Sequence, residues 1–156
     1  MKRLYKQLMA WLTGSSLLLI FTVVLVSSLM RYLFDAPLQW SEEVARYGMI
    51  YGALFGTVLC YLDDLHIKFE LLENLLSDGA KRVCKVLTDL SALACGLVLT
   101  WAGFGFTASR GELEAPGTGL PMSLFQSAMW IGGICLTIAA LFKLADYLHT
   151  NSQQSE

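Results

Sequence analysis

The residues of this 156-residue chain best suited to metal binding, redox chemistry or proton transfer are two histidines and four cysteines. His66 and His149 lie too far apart in sequence to predict a metal site, and an interfacial role for His66 is the simpler interpretation. The cysteines include no CxxC pair and lie mostly in or at the end of apolar runs, so we interpret them as packing residues. They are Cys60, Cys84, Cys95 and Cys135.

No apolar run of the sequence carries the other residue patterns that chemistry inside a membrane requires. The paired histidines of a transmembrane haem site are missing, and so is a cluster of carboxylates near the middle of a run. We also find no internal duplication with broken helices of the kind that secondary transporters use. We therefore expect no catalytic site, no cofactor and no metal, and we do not expect an enzyme.

The charged residues instead cluster between apolar runs, most densely in RYLFDAPLQWSEEVARYG at residues 31–48. The DAP triplet at residues 35–37 predicts a turn, because proline fixes its own backbone and disfavours helix in the residue before it. Ser41 is predicted to be the N-cap of the following helix. Glu42 and Glu43 then fall in the first turn, where the helix dipole favours negative charge.

Two arginines of this segment, Arg31 and Arg46, lie near the predicted hydrocarbon boundary, where an unpaired charge is costly. Arg46 follows Glu42 by four positions and Glu43 by three, which is pairing distance on one helix face, so we expect one of these acids to hold it. Acids of the same hairpin or of a partner protein should form ion pairs with both arginines.

Trp40 fits the aromatic belt of a membrane interface. An interface-anchored hairpin would by itself also explain the segment.

The composition is that of a membrane protein. The chain is 55% hydrophobic and only 15% charged, and its mean hydropathy is positive, a combination too apolar for an ordinary soluble domain. A net charge of -2 with eleven basic residues leaves no polycationic surface for nucleic acid. We therefore expect the lipid bilayer as the environment and no nucleic-acid partner.

We predict an all-α integral membrane protein with four transmembrane helices, counting about 20 apolar residues for each crossing. The first apolar run is too long for the core of a signal peptide and ends without a convincing cleavage site, so we interpret it as a retained helix. Residues 1–150 form a single four-helix membrane domain in this interpretation, and a polar tail follows at 151–156. The approximate spans are 8–30, 43–62, 86–107 and 122–144.

The basic residues predict that both termini are cytoplasmic, because Lys and Arg in short loops stay on that side of the membrane. Eight of the eleven lie in the N-terminal tail, the middle loop and the C-terminal end, and three lie in the other two loops. Residues 31–46 and 109–121 are then on the outer face. Apolar residues at helical spacing from Leu65 to Leu76 predict a short amphipathic cytoplasmic interfacial helix between the second and third spans, with a solvated connector as the alternative.

Small residues recur every four positions in the second and fourth spans, a spacing that lets helices approach closely in lipid. Gly48, Gly52 and Gly56 form two overlapping GxxxG repeats, and Ala128 with Gly132 repeats the spacing in the fourth span. We expect one of these stripes to contact a partner subunit. A neighbour within the same chain is the alternative that the pattern leaves open.

Together these motifs resemble the small membrane subunit, of DctQ or SiaQ type, of the tripartite ATP-independent periplasmic (TRAP) transporters. The resemblance extends over nearly the whole chain, and its most specific element is WSEE at residues 40–43, which opens the second span. RYLF at 31–34, HIK at 66–68 and GLP at 119–121 agree with the family pattern, although HIK and GLP are weak signals individually.

The resemblance implies a bacterial inner-membrane heterodimer in which a separate large membrane subunit holds the substrate and sodium sites. A periplasmic binding protein would deliver a small organic acid, such as sialic acid or a C4-dicarboxylate, for sodium symport. This chain would be a non-catalytic scaffold for the large subunit. The alternative is a membrane-anchor subunit of a quinone- or haem-linked redox complex, which the positions of the histidines and cysteines disfavour. The expected structural or partner-interface residues are Arg31, Trp40, Ser41, Glu42, Glu43, Arg46, Gly48, Gly52, Gly56, Ala128 and Gly132.

Overall fold

The computed structural model describes residues 2–63 and 78–153, with side chains over 3–63 and 83–145. Four α-helices account for nearly all of this part of the chain, and it contains no strand apart from one isolated bridge between Glu114 and Pro121. The all-helical prediction is confirmed for the described residues. The helices are α1 (Lys2–Phe34), α2 (Gln39–Leu62), α3 (Asp78–Arg110) and α4 (Met122–Gln153).

Three of these helices are long and apolar enough to cross a membrane, over Arg3–Phe34, Val83–Arg110 and Met122–Ala145. The shorter α2 is not among them, since it carries charges in its first turns and three tyrosines and three glycines further along. The predicted second crossing, at residues 43–62, is therefore not confirmed, whereas the other three predicted spans each lie within one of these helices. The predicted interfacial helix and His66 fall within residues 64–77, outside the described residues.

The helices run beyond the predicted spans because apolar composition marks only the part that crosses hydrocarbon, while backbone hydrogen bonding continues into the interface. At the end of α1, Asp35 adopts a positive φ of 53°, and the N–H of Ala36 donates to the Met30 carbonyl at 3.2 Å. Pro37 follows, where it cannot continue a helix. This turn reverses the chain into α2.

The bundle consists of two helical hairpins, α1 with α2 and α3 with α4, joined along a contact between α2 and α4. The buried core lies where the first turns of α1 meet the C-terminal half of α2 and the middle of α4. Its members are Met9, Phe55, Val58, Tyr61, Leu62, Leu136, Ala139 and Ala140.

Glycines allow the helices of each hairpin to approach closely. In the first hairpin, a Cβ added at Gly48 would lie 3.0 Å from Ile20 Cγ1, and one added at Gly52 would lie 3.2 Å from Ser16 Oγ. The Ser16 hydroxyl also donates to the Gly48 carbonyl at 2.6 Å. The glycine stripe of α2, including Gly56, therefore faces α1 in the same chain, which is the alternative that the spacing left open.

The approach is closer still between α3 and α4. A Cβ at Gly103 would lie 2.7 Å from the Trp130 backbone nitrogen, and a Cβ at Gly133 would lie 2.6 Å from that of Thr100. These contacts are with backbone atoms, which cannot move aside as a flexible side chain can. The predicted stripe of α4 lies inside the bundle as well, since Ala128 is buried and Gly132 faces Leu54 of α2.

Candidate functional site

The most extensive polar contact between the two hairpins is made by Glu43 of α2. Its Oε2 accepts hydrogen bonds from the backbone N–H of Gly117 at 3.1 Å, from the N–H of Thr118 at 2.9 Å and from the Thr118 hydroxyl at 3.1 Å. The receiving loop is itself folded back, since the Ala115 N–H donates to the Leu120 carbonyl at 2.8 Å and Gly119 has a positive φ. We call this contact the Glu43 clasp; it ties the start of α2 to the loop between α3 and α4.

Ser41 has a different role from the one predicted. The N-cap of α2 is Leu38, with no side-chain cap hydrogen bond, so the prediction of an N-cap at Ser41 is wrong. The first turn already closes before this residue, as the Ser41 N–H donates to the Leu38 carbonyl. The buried Ser41 hydroxyl donates to the same carbonyl at 2.6 Å and lies 2.7 Å from the Ser27 hydroxyl, so it joins α2 to α1.

The predicted pairing of Arg46 with an acid of its own helix is also wrong. Glu43 is engaged by the loop, and no ion pair joins Arg46 to Glu42 or Glu43 among the described residues. Of the two acids only Glu42 lies in the first turn of α2. Trp40 is partly exposed beside them, as an interfacial aromatic residue would be.

Arg31 and Arg46 instead line one open cleft between α1 and α2, with a volume of about 530 Å³. We call it the α1–α2 cleft. Its other lining residues are Ile20, Val24, Ser27, Ser28, Tyr32, Ser41, Glu42, Ala45 and Met49.

A second polar cluster lies at the opposite end of the bundle. The Tyr61 hydroxyl of α2 donates to Oδ1 of the buried Asp89 of α3 at 2.6 Å. The Lys143 ammonium of α4 lies 4.3 Å from the centroid of the Tyr61 ring, and Lys6 of α1 forms an ion pair with Asp63. All four helices thus contribute to polar contacts at this end. A single acid within an apolar run is a signal for an internal partner, and Tyr61 is that partner here.

Tyrosines supply the seam between α2 and α4, which the sequence reasoning did not identify. The Tyr47 ring stacks on Phe125 with centroids 4.1 Å apart. The Tyr51 hydroxyl donates to the Leu124 carbonyl at 2.8 Å and lies 2.8 Å from the Ser127 hydroxyl. Buried or half-buried tyrosine hydroxyls normally find such partners, so these polar groups serve the fold.

The four cysteines are free thiols. The prediction that they pack inside the fold is wrong for three of them. Cys60, Cys84 and Cys95 are exposed on the chain by itself, and only Cys135 is partly covered. Their apolar neighbours in sequence predicted burial, but the helix faces that carry them point away from the bundle. Among the described residues, no three histidine, cysteine, aspartate or glutamate side chains are grouped so that they could hold a metal ion.

The outward faces of α1 and α3 carry large apolar side chains. Trp11 of α1 is 78% exposed and Trp101 of α3 is 83% exposed. Phe21, Val98 and Phe104 are also exposed on these faces. Apolar surface of this extent needs a lipid or protein neighbour.

Comparisons with known proteins point to one family. The family model of the DctQ component of tripartite ATP-independent periplasmic transporters matches residues 20–149. A protein of Haemophilus influenzae named as a TRAP transporter small permease protein is 29% identical over 133 residues, which cover 83% of this chain and 81% of the relative.

Two further relatives carry names of sialic acid TRAP transporters. The small permease protein SiaQ of Vibrio cholerae is 21% identical over 114 residues, covering 73% of this chain and 66% of SiaQ. The permease protein SiaT of Haemophilus influenzae is 28% identical over 85 residues, covering 54% of this chain and 14% of SiaT. With the family model matching most of its length, the chain belongs to the DctQ family of TRAP transporter components.

Proposed function

We propose that this chain is the small, non-catalytic subunit of a sodium-coupled TRAP transporter of the bacterial inner membrane. In this proposal it scaffolds a large membrane subunit, which takes up a small organic acid delivered by a periplasmic binding protein. Sialic acid and C4-dicarboxylates are the candidate substrates, and the names of SiaQ and SiaT favour sialic acid. The match to a short part of the longer SiaT supports a close association between small and large permease units.

The observation that carries the proposal is how the polar and apolar groups are distributed. The Glu43 clasp, the Ser27–Ser41 contact and the Tyr61–Asp89 hydrogen bond all lie within the chain and link its helices to one another. The outward faces of α1 and α3 are apolar. A bundle braced internally at both ends and apolar outside is suited to be a stiff frame in the membrane rather than a substrate pathway.

Reconstitution into proteoliposomes tests the proposed function. The small subunit alone should give no solute uptake under a sodium gradient, because its internal polar groups are used within the fold. Uptake should require this chain, the large subunit and the binding protein together, with sialic acid and C4-dicarboxylates tried as substrates. Sodium-driven uptake by this chain alone would refute the scaffold role, and so would full uptake by the large subunit and the binding protein without it.

We further propose that both termini are cytoplasmic and that the Glu43 clasp is periplasmic, since eight of the eleven basic residues belong to the N-terminal tail, the predicted middle loop and the C-terminal end of the sequence, and basic residues favour the cytoplasmic side. This orientation predicts the outcome of single-cysteine labelling in intact cells, after the four native cysteines are replaced. A cysteine at Glu112, an exposed residue of the loop between α3 and α4, should react with a membrane-impermeant maleimide. A cysteine at Ser152 should react only after the cells are lysed. The reverse pattern would invert the proposed topology.

A further inference from the structure

We propose that the α1–α2 cleft binds one anionic phospholipid, with its phosphate between Arg31 and Arg46 and its acyl chain along the apolar wall below them. Neither guanidinium forms an ion pair within the described part of the chain, although both line this cleft. A guanidinium at the hydrocarbon boundary is costly without an anion. The cleft therefore has two cationic groups with no anionic ion-pair partner among the described residues.

The register of the two helices brings these groups toward one point. Ser27 lies opposite Ser41, and Gly48 and Gly52 face Ile20 and Ser16, so Arg46 is level with about residue 22 of α1. Arg31 is then roughly 13 Å away along the helix axis, at 1.5 Å per residue. Side chains on a helix lean toward its N-terminus. On antiparallel helices the two arginines therefore lean toward each other, and a phosphate can fill the space between them.

Polarity along the cleft matches an amphiphile. By this register the serines, Glu42 and Arg31 lie toward the end of the cleft near the α1–α2 turn, Ile20 and Met49 lie toward the middle of the membrane, and Val24 and Arg46 lie between them. Val24 is 48% exposed and Met49 is 61% exposed, so the apolar wall is open to the side for an acyl chain. A volume of about 530 Å³ lies in the range of small-molecule sites and far exceeds what one carboxylate side chain from a partner would fill.

Charge selects the class of phospholipid. Two guanidiniums and the Glu42 carboxylate leave the cleft with one net positive charge. A phosphodiester with an uncharged head-group alcohol, as in phosphatidylglycerol, supplies one negative charge and balances it. Phosphatidylethanolamine brings its own ammonium and leaves the excess charge in place. The cleft should therefore prefer phosphatidylglycerol.

Native mass spectrometry of the delipidated 156-residue chain in detergent, titrated with each phospholipid, tests this site. Phosphatidylglycerol should bind more tightly than phosphatidylethanolamine, and Arg31→Gln or Arg46→Gln should each weaken its binding about tenfold, the usual scale of one lost charge-assisted hydrogen bond. The matched control is Arg110→Gln, because Arg110 lies at the end of α3 beside Phe106 and should leave binding unchanged. Circular dichroism of each variant checks that the helices are intact.

Two further measurements separate the phospholipid from other occupants. Ala45→Phe, which fills the wall of the cleft and keeps both arginines, should also weaken phosphatidylglycerol binding. Glycerol phosphate at millimolar concentration should not displace the lipid; displacement would reduce the site to one for free phosphate and overturn the proposal. Equal phosphatidylglycerol binding by the Arg46→Gln and Arg110→Gln variants would overturn it too. Loss of the large subunit from the Arg46→Gln variant with lipid binding intact would assign the cleft to an acid of that subunit.

Discussion

Gly103→Ala should destabilise the isolated chain, while Gly105→Ala, two residues further along the same helix, should not. A Cβ at Gly103 would lie 2.7 Å from the Trp130 nitrogen and 2.9 Å from Met129 Cβ. To make room, α3 and α4 must separate along their contact. Forcing a methyl group into a packed contact of this kind costs about 2–3 kcal/mol.

Gly105 is the matched control, because a Cβ there meets nothing within 4 Å. Both substitutions gain the same helix propensity, about 0.5–1 kcal/mol, which leaves the overpacking cost of about 2–3 kcal/mol as the difference between them. Thermal unfolding of the purified chain in detergent, followed by circular dichroism, measures that difference. Equal midpoints for the two variants would show that α3 and α4 are not in backbone contact at Gly103.

The sequence predicts features that depend on neighbouring residues better than features that depend on packing. The helical class and the turn at residues 35–37 follow from apolar run length and from proline, and the structure has both. The N-cap prediction at Ser41 is wrong, because serine is favoured at an N-cap and nothing in the neighbouring sequence reveals that the Ser41 hydroxyl contacts Ser27 of α1. A cap preference of about 1 kcal/mol is easily outweighed by a contact with another helix.

The spacing of the small residues does not predict which helix they contact. GxxxG spacing predicts that some helix approaches closely but does not identify that helix. In the structure Gly52 faces Ser16 and Gly48 faces Ile20, and neither α1 residue belongs to a motif that predicts this contact. The backbone contacts of Gly103 and Gly133 are not predicted, because neither glycine has a second glycine or an alanine four positions away in its own helix. Which residues of two helices face each other depends on how the helices are aligned in the bundle, and the sequence of one helix does not specify that alignment.

The Glu43 clasp joins residues 74 and 75 positions apart, and its loss should release the loop between α3 and α4. In Glu43→Ala the N–H groups of Gly117 and Thr118 lose a charged acceptor. Hydrogen bonds to charged groups contribute about 1.5–3 kcal/mol, and the three bonds to one oxygen are not additive. We expect about 2–3 kcal/mol of local stability to be lost.

Hydrogen exchange read by mass spectrometry detects this release directly. A loss of about 2.7 kcal/mol in the free energy of local opening corresponds to about 100-fold faster exchange at the Gly117 and Thr118 amides. Glu42→Ala is the control on the same helix turn, because Glu42 lines the α1–α2 cleft and does not bond the loop. Glu43→Gln, which keeps an acceptor oxygen without its charge, should fall between the two.

The same variants connect the clasp to the proposed scaffold. If the frame must be braced at its outer end to hold the large subunit, Glu43→Ala should lower both recovery of the complex and uptake, whereas Glu43→Gln should lower them less. Faster loop exchange with normal assembly and uptake would restrict the clasp to the fold of this chain alone. Exchange in Glu43→Ala no faster than in Glu42→Ala would show that the loop is held by its own backbone hydrogen bonds, such as that between Ala115 and Leu120, and the clasp would then not be what joins the two hairpins.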